Sequence, residues 1–327
     1  MNRSIILYLS FAYCLLAASC SHDKDYVLDV DYNTTALVIA DNDNLSVFNA
    51  GMRPIGLIQK LQAPGPFTLL VPSDAAFQKI GMDSKSIQLL STQNLSNLML
   101  YHIIDGTYRL DNLPFLFNQE IKSQRGKLYV THWIKDRDTI LTINGARILN
   151  QRMTTSNGLI HVIDRVLEPF KHERLNDAIS DDNNLTFFKE ALRSSGLEPL
   201  LNREGEYTVF APNNTAMKAN GFNSIQQIHD TDPEVLKSFI RYHIADTRRF
   251  VYDYILTTDK TNISQQRMLD GYNCRINLLP DYWAPGSFLG ITLQGPGNLS
   301  AISVAKQDVL TGNGILHTIN GILKPTR

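Results

Sequence analysis

Two sets of polar residues carry the groups from which an active site could be built. In FTLLVPSDAAF, at 67–77, an apolar run and a proline are followed by Ser73 and Asp74. Further along the chain, His102 and His161 could join Asp74 in a metal site or in acid–base catalysis. A nucleophilic serine, however, needs a base within hydrogen-bond reach, and two adjacent residues on a turn do not supply one. The competing interpretation is structural, with Ser73 or Asp74 capping a helix.

A second copy of the same stretch favours the structural interpretation. Adding 140 to each residue number takes FTLLVPSDAAF to YTVFAPNNTAM, at 207–217, which keeps the apolar run, the proline and the alanine. Asn213 and Asn214 stand where Ser73 and Asp74 stand, so both reactive groups are lost. The motif therefore marks the end of a strand and the start of a helix.

The histidines are repeated although the carboxylate is not. His243 repeats His102 in a Tyr-His pair, and His317 repeats His161 in an Asn-Gly-x-x-His motif. A duplicated metal site would keep its acid, so we expect structural histidines and no metal, cofactor or catalytic residue. The two apolar residues before His161 interrupt strict alternation, which predicts a partly buried imidazole with one hydrogen-bonded nitrogen.

The repeat also defines the domains. The offset is 141 at the Tyr-His pair and 156 at the closing motif, where NGLIHVIDRVLEP matches NGILHTINGILKP. Domain 1 is predicted at 33–169 and domain 2 at 172–327, with an insertion of about fifteen residues near 272–298.

Each copy predicts helices first and strands afterwards. LSVFNAGMRPIGLIQKL and LTFFKEALRSSGLEPLL carry apolar residues at helical spacing, and Pro54 and Gly56 should divide the first of them. FTLLVP, KLYVTHWI, TILTI and LIHVIDRVL favour strands, with core packing expected for Tyr129 and Trp133 on one strand face. Asn-Gly at 157–158 predicts a tight hairpin with positive φ. The predicted fold class is α+β.

Composition limits the functional classes. The chain is 43% hydrophobic and 19% charged, which is globular composition, and its formal net charge is −1. Near-neutrality without a basic cluster argues against nucleic-acid binding. Cys274 would be the one free cysteine after processing, so no disulfide is expected, and a small buried hydrophobe is its predicted role.

The N-terminal stretch predicts export. MNRSIILYLSFAYCLLAASC has one cation, an apolar segment and small residues before Cys20, which is typical of a signal peptide at 1–19. LLAASC resembles the lipobox of bacterial lipoproteins, and SHDKDY after it resembles the surface-export signal of Bacteroidota lipoproteins. These resemblances imply a lipidated Cys20, a linker at 20–32, and a lipid-anchored outer-membrane protein on the cell surface. Ordinary secretion with cleavage nearby is the alternative.

The three repeated motifs resemble those of the fasciclin (FAS1) domain family. This resemblance implies two tandem domains, each a β-sheet wedge with packed helices, and an adhesion or binding role without catalysis. It also implies structural roles for the motif residues, although Asn213, Asn214 and Met217 depart from the family pattern. The motif residues are Thr68, Pro72, Ser73, Asp74, Ala76, Phe77, Tyr101, His102 and His161 in domain 1, and Thr208, Pro212, Tyr242, His243 and His317 in domain 2.

The insertion holds the candidate binding residues. Tyr282, Trp283 and Phe288 lie among prolines and glycines, where aromatic rings could stack on a sugar or anchor a protein. The competing interpretation is that they cover an edge of their own sheet. The expected partner is an extracellular protein or glycan, or a component of an outer-membrane uptake complex. The alternatives are a glycan hydrolase with paired carboxylates and a structural spacer.

Overall fold

The computed structural model describes residues 31–149, 152–284 and 287–326. The predicted signal peptide, Cys20 and most of the predicted linker lie outside these residues. Within the described ranges, no helix has the length and apolar content needed to cross a membrane. From Asn33 onward the chain forms one unit, which contains both copies of the repeat.

Short helices open domain 1 and pack against its first sheet. The first predicted helical segment is divided as expected, because the chain turns at Pro54 and Gly56 adopts a left-handed φ of 66°. The helices are α1 (Thr35–Ala40), α2 (Ser46–Met52), α3 (Leu57–Gln62), α4 (Asp74–Gln78) and α5 (Thr92–Tyr101), with 3-10 turns at Asp43–Leu45, Ser86–Leu89 and Leu110–Asn112.

The strands of domain 1 form two four-stranded sheets, ordered β2-β1-β8-β7 and β3-β4-β5-β6. In the first sheet, the opening and closing strands pair in parallel, with Phe67 opposite Gly158. This pairing brings the first and last motifs of the repeat together. The strands are β1 (Phe67–Pro72), β2 (Ile103–Asp105), β3 (Gln119–Ser123), β4 (Gly126–Lys135), β5 (Asp138–Ile143), β6 (Ala146–Arg147), β7 (Met153–Thr155) and β8 (Gly158–Ile163).

Domain 2 repeats this order of elements. Its helices are α6 (Leu175–Asp181), α7 (Thr186–Ser194), α8 (Glu198–Asn202), α9 (Asn214–Ala219), α10 (Ile225–His229), α11 (Pro233–Arg241) and α12 (Val251–Thr257), with a 3-10 turn at Asn183–Leu185. Its strands are β9 (Tyr207–Pro212), β10 (Ile244–Ala245), β11 (Ile263–Arg267), β12 (Asn273–Pro280), β13 (Phe288–Gln294), β14 (Ile302–Thr311) and β15 (Gly314–Ile319).

In domain 2 the strands join into one sheet, ordered β10-β9-β15-β14-β13-β12-β11. The long strand β14 makes the connection, because it pairs with β13 through Ile302 and Ser303 and with β15 through its later residues. The predicted insertion lengthens the β12–β13 hairpin and the connection that follows it. Each domain has one apolar core formed by its helices and its opening strand and a second apolar core formed mainly by strand residues.

The Asn-Gly hairpin has the predicted pairing but not the predicted backbone. Thr155 pairs with Gly158 across the β7–β8 turn, yet neither Asn157 nor Gly158 has a positive φ, so that prediction is wrong. Glycine is needed for another reason: a Cβ at Gly158 would lie 2.2 Å from the carbonyl oxygen of Phe67. The parallel pairing of β1 and β8 leaves no room for a side chain there.

Candidate functional site

The Ser-Asp pair of the first motif acts as structural support. Ser73 caps α4 by accepting a hydrogen bond from the backbone nitrogen of Ala76 at 3.2 Å. The Asp74 carboxylate accepts from the Ser46 hydroxyl at 2.6 Å and from the Val47 nitrogen at 2.9 Å, which ties α4 to the start of α2. Within the described ranges, the hydrogen bond of the Ser73 hydroxyl goes to this backbone nitrogen and not to a basic side chain.

The second copy makes the same contacts with neutral side chains. Asn213 accepts from the Ala216 nitrogen at 2.8 Å, and Asn214 accepts from the Phe187 nitrogen at 3.1 Å. Because the geometry survives the loss of both the hydroxyl and the carboxylate, the fold needs hydrogen-bond acceptors there and not a charge. Met217, which departs from the family pattern, is fully buried like Phe77.

Two further motif residues connect helices, loops and sheets in the same way in both domains. Thr68 donates to the carbonyl of Gly106 at 2.7 Å, and Thr208 donates to that of Thr247 at 2.6 Å. The hydroxyl of Tyr101 donates to Lys127 at 2.7 Å, and that of Tyr242 donates to Asn273 at 2.9 Å, each reaching a carbonyl of a later strand.

The histidines of the Tyr-His pairs are buried and doubly bonded. Nδ1 of His102 lies 2.9 Å from the Leu98 carbonyl, and Nε2 accepts from the Leu167 nitrogen at 3.0 Å. His243 makes the matching bonds to Phe239 and Leu323 at 2.8 and 3.0 Å. Burial lowers the pKa of both imidazoles to about 4, so both are neutral at pH 7. Each connects a helix to the closing segment of its domain by hydrogen bonds.

The second pair of histidines differs between the domains. In domain 2, Nδ1 of His317 accepts from the Asp308 nitrogen at 3.2 Å, and Nε2 lies 3.1 Å from the carbonyl of Arg249. In domain 1, His161 is 3% exposed, and neither ring nitrogen has a hydrogen-bond partner among the described residues. The prediction of one hydrogen bond for His161 is therefore wrong. The two hydrogen bonds that His317 makes in domain 2 have no counterpart at His161.

Sequence reasoning missed the structural role of the closing asparagines. The Asn157 side chain accepts from the Thr35 nitrogen at 2.8 Å and donates to the carbonyls of Leu61 and Ala63 at 2.7 and 2.9 Å. It thereby holds the first and third helices against the β7–β8 turn. The repetition of Asn in the closing motif is a sequence signal for this role, although the Asn-Gly pair by itself predicts only a backbone turn.

The contact between the domains was also missed, and it centres on a buried acid of α12. Asp253 is fully buried and accepts from the Asn118 amide and the Thr131 hydroxyl of domain 1, both at 3.0 Å. It also accepts from the Phe250 nitrogen of its own domain at 2.9 Å. One carboxylate thus satisfies donors from both domains.

Further contacts join the two domains. The guanidinium of Arg248 lies 3.9 Å from the ring centroid of Tyr129, and Arg165 pairs with Asp308 at 2.7 Å. Tyr129 is buried with Phe250 and other residues of domain 2, so its core packing occurs between domains. Trp133, by contrast, is only partly buried, and its ring centroid is 4.6 Å from that of Phe117.

Two of the three candidate binding residues of the insertion face solvent. Tyr282 is 84% exposed and Trp283 is 88% exposed, and their ring centroids lie 5.1 Å apart in a T-shaped arrangement. The Asp281 carboxylate accepts from the Trp283 nitrogen at 2.9 Å, which supports the turn. Phe288 differs from them, because it packs against the second core of domain 2.

The described ranges contain no cluster of three or more residues that could ligate a metal. None of the hydrogen bonds of Asp74 and His102 described above joins them to each other or to His161. Cys274 is fully buried and unpaired, and burial raises the pKa of its thiol to about 12. This thiol is therefore protonated at neutral pH.

Comparison with known proteins identifies the family. The fasciclin domain model matches residues 43–169 and 183–325. The chain is 25% identical over 268 residues to transforming growth factor-beta-induced protein ig-h3 of Sus scrofa, and 26% identical over 276 residues to human periostin. These alignments cover 81% and 82% of this chain but 36% and 29% of the relatives, so the chain spans about a third of their length.

Two further matches extend the comparison. Protein sll1483 of Synechocystis is 28% identical over 42% of this chain and 73% of its own length. A solved FAS1 domain pair from the insect cell adhesion molecule fasciclin I aligns at 17% identity with a TM-score of 0.42, covering 86% of this chain and 97% of that one.

The family match confirms the predicted α+β fold with two FAS1 domains. Fasciclin-family proteins are non-enzymatic adhesion molecules, which also confirms the prediction that the chain is not an enzyme. Both copies carry the family motifs on equivalent strands, turns and helices, and the chain belongs to the fasciclin family as a tandem pair of FAS1 domains.

Proposed function

We propose that this chain is a lipid-anchored binding protein of a bacterial outer membrane that engages an extracellular protein or glycan through the tip of the β12–β13 hairpin. The observation that carries the proposal is the exposure of Tyr282 and Trp283 at that tip. Exposed aromatic side chains of this size are costly to hydrate and are enriched in binding sites. A hairpin that covered its own sheet would bury them.

Three further features support a binding role without catalysis. Ser73, Asp74 and His102 are occupied by structural hydrogen bonds, and the family is non-enzymatic. The β12–β13 hairpin of domain 2 also has a longer turn than the β4–β5 hairpin of domain 1. A component of an outer-membrane uptake complex is one partner that would fit such a tip. The lipid anchor at Cys20 is proposed from the lipobox-like sequence before it.

Binding should depend on the tip aromatics. We expect the double change Tyr282→Ala and Trp283→Ala to weaken partner binding by tenfold or more, since buried aromatic anchors contribute about 1–3 kcal/mol each. Glycan arrays and quantitative pull-downs from solubilised membranes would compare the variant with the wild type. Tyr272→Ala is the matched control, because Tyr272 is also on the insertion and is 54% exposed, but it lies at the other end of β12.

A spectroscopic measurement adds a direct readout. The chain has two tryptophans, so in a Trp133→Phe background the emission comes from Trp283 alone. A partner that covers the tip should shift this emission to shorter wavelength. If the double variant retains every captured partner at wild-type levels, the tip is not the binding element.

The anchor makes a separate prediction. Cys20→Ala should move the protein from the membrane fraction to the soluble fraction, because each buried methylene of a lipid chain contributes about 0.8 kcal/mol to membrane attachment. Cys274→Ala is the control and should stay in membranes. Protease added to intact cells should degrade the wild-type protein if it is displayed on the surface. Membrane retention of Cys20→Ala would contradict the anchor.

A further inference from the structure

Domain 1 contains a cavity that the repeat does not require. Its volume is about 510 Å³, which is within the range of small-molecule sites. The wall contains side chains from β5, from β8, from the 3-10 turn before β3 and from the segments that flank residues 150–151. These residues are Asp111, Thr139, Leu141, Ile148, Leu149, Arg152 and His161.

A difference between the copies leaves one face of the His161 imidazole without an aromatic partner. In domain 2, Phe210 lies opposite His317 on the paired parallel strands, and their rings stack with centroids 5.3 Å apart and an interplanar angle of 17°. In domain 1, Leu70 lies opposite His161 in the same register. A leucine has no ring to stack on the imidazole, so His161 lacks the aromatic partner that His317 has.

The polar groups of the cavity are balanced in charge and in hydrogen bonding. Nη1 of Arg152 pairs with Asp111 at 3.0 Å, so this pair adds one cation and one anion. Burial lowers the pKa of His161 to about 4, and a neutral imidazole offers one donor and one acceptor. Both ring nitrogens are unpartnered within the described ranges, although leaving a buried polar group unpaired costs about 1–3 kcal/mol.

We propose that this cavity binds a neutral, polyhydroxylated ligand of about the size of a mono- or disaccharide. A hydroxyl can accept from Arg152 and donate to Asp111 at once, and a second can pair with the imidazole of His161. The C–H face of a sugar ring would pack against the aliphatic wall. Asp111 would repel a carboxylate and Arg152 would repel a cation, so neutral hydroxyl groups fit best.

The test uses the full chain with D-glucose, D-galactose, D-mannose and N-acetyl-D-glucosamine as neutral probes, and D-glucuronate and acetate as charged ones. Titration would be followed by calorimetry and by the imidazole ¹⁵N resonances of His161, assigned by comparison with His161→Gln. We expect a neutral sugar to shift these resonances saturably. His317 is the internal control, because its nitrogens are already hydrogen-bonded, and its resonances should not move.

Variants distinguish binding in the cavity from weak association of the sugar with the protein surface. Arg152→Gln should weaken the sugar at least tenfold, whereas Glu120→Gln, which removes an exposed ion pair on β3, should leave the affinity unchanged. Leu70→Phe copies domain 2 and should block binding; circular dichroism would show that it folds. The proposal is overturned if no neutral sugar moves His161, if the charged probes bind instead, or if Arg152→Gln binds like the wild type.

Discussion

Replacing Asp253 by alanine should lower the free energy of unfolding by about 3 kcal/mol and uncouple the two domains. The substitution removes three accepted hydrogen bonds, and buried donors left unpaired cost about 1–3 kcal/mol each. Two of the donors, Asn118 and Thr131, belong to domain 1. We therefore expect one cooperative unfolding transition in the wild type and two separated transitions in the variant.

The wild type should also show a pH dependence that Asp253→Asn lacks. Burial raises the pKa of Asp253 to about 6, against the opposing effects of the Asn118 amide, the Phe250 nitrogen and Arg249. A pKa raised on folding stabilises the folded state fully below the unfolded value and loses that effect as the pH rises through the folded value. Relative to Asp253→Asn, wild-type stability should fall by about 2 kcal/mol between pH 4 and pH 7.

Urea denaturation provides the measurement, with circular dichroism for the whole chain and tryptophan emission for domain 1. In a Trp283→Phe background the emission comes from Trp133. This residue contacts Phe117, and the guanidinium of Arg249 from domain 2 lies 4.5 Å from the Phe117 ring centroid, so the signal is sensitive to separation of the domains. A single transition in Asp253→Ala at wild-type stability would contradict the proposed coupling.

Asn157→Ala and Asn313→Ala should each destabilise their own domain by about 3 kcal/mol. Asn313 repeats the contacts of Asn157, since it accepts from the Leu175 nitrogen at 2.8 Å and donates to the Leu201 and Arg203 carbonyls at 2.9 and 2.8 Å. Both side chains are buried, and alanine leaves one donor and two carbonyls without a side-chain partner.

The variant Asn157→Asp tests whether the amide hydrogen bonds are responsible for this effect. Asn157→Asp keeps the acceptor for Thr35 but replaces the amide donor with an oxygen that faces two carbonyls. It should be at least as unstable at neutral pH as Asn157→Ala. Differential scanning calorimetry would follow both domains in one chain, so that each serves as the control for the other. Wild-type stability of Asn157→Asp would show that the amide hydrogen bonds are not needed.

Patterns of local origin were predictable from the residues. Helical spacing in the opening segments, the apolar runs before Pro72 and Pro212, and the caps at Ser73 and Asn213 depend on neighbours close in the chain. The repeat added a comparison within one sequence. Because Asn213 and Asn214 preserve the motif without the reactive groups, the sequence alone supports the structural interpretation of Ser73 and Asp74.

Contacts between distant segments were not predictable in this way. For Asn157 the sequence predicts only a backbone turn, because the spacing of residues does not show that its side-chain amide reaches helices about a hundred residues earlier. Asp253 carries no local sign of its role, since its partners are in the other domain. Likewise, His161 and His317 occupy the same position in the motif. Only the packing shows that His317 stacks on Phe210 whereas His161 lines a cavity.

The sequence by itself determined that this protein is two copies of an α+β domain with an insertion near 272–298 of the second copy, because repeats, periodicity and capping are encoded by residues near one another. The tertiary structure alone decided that Tyr282 and Trp283 face solvent while Phe288 packs inward, and that the domains share a buried carboxylate. Exposure and pairing depend on which surfaces meet after the chain has folded, and that information is distributed over the whole chain.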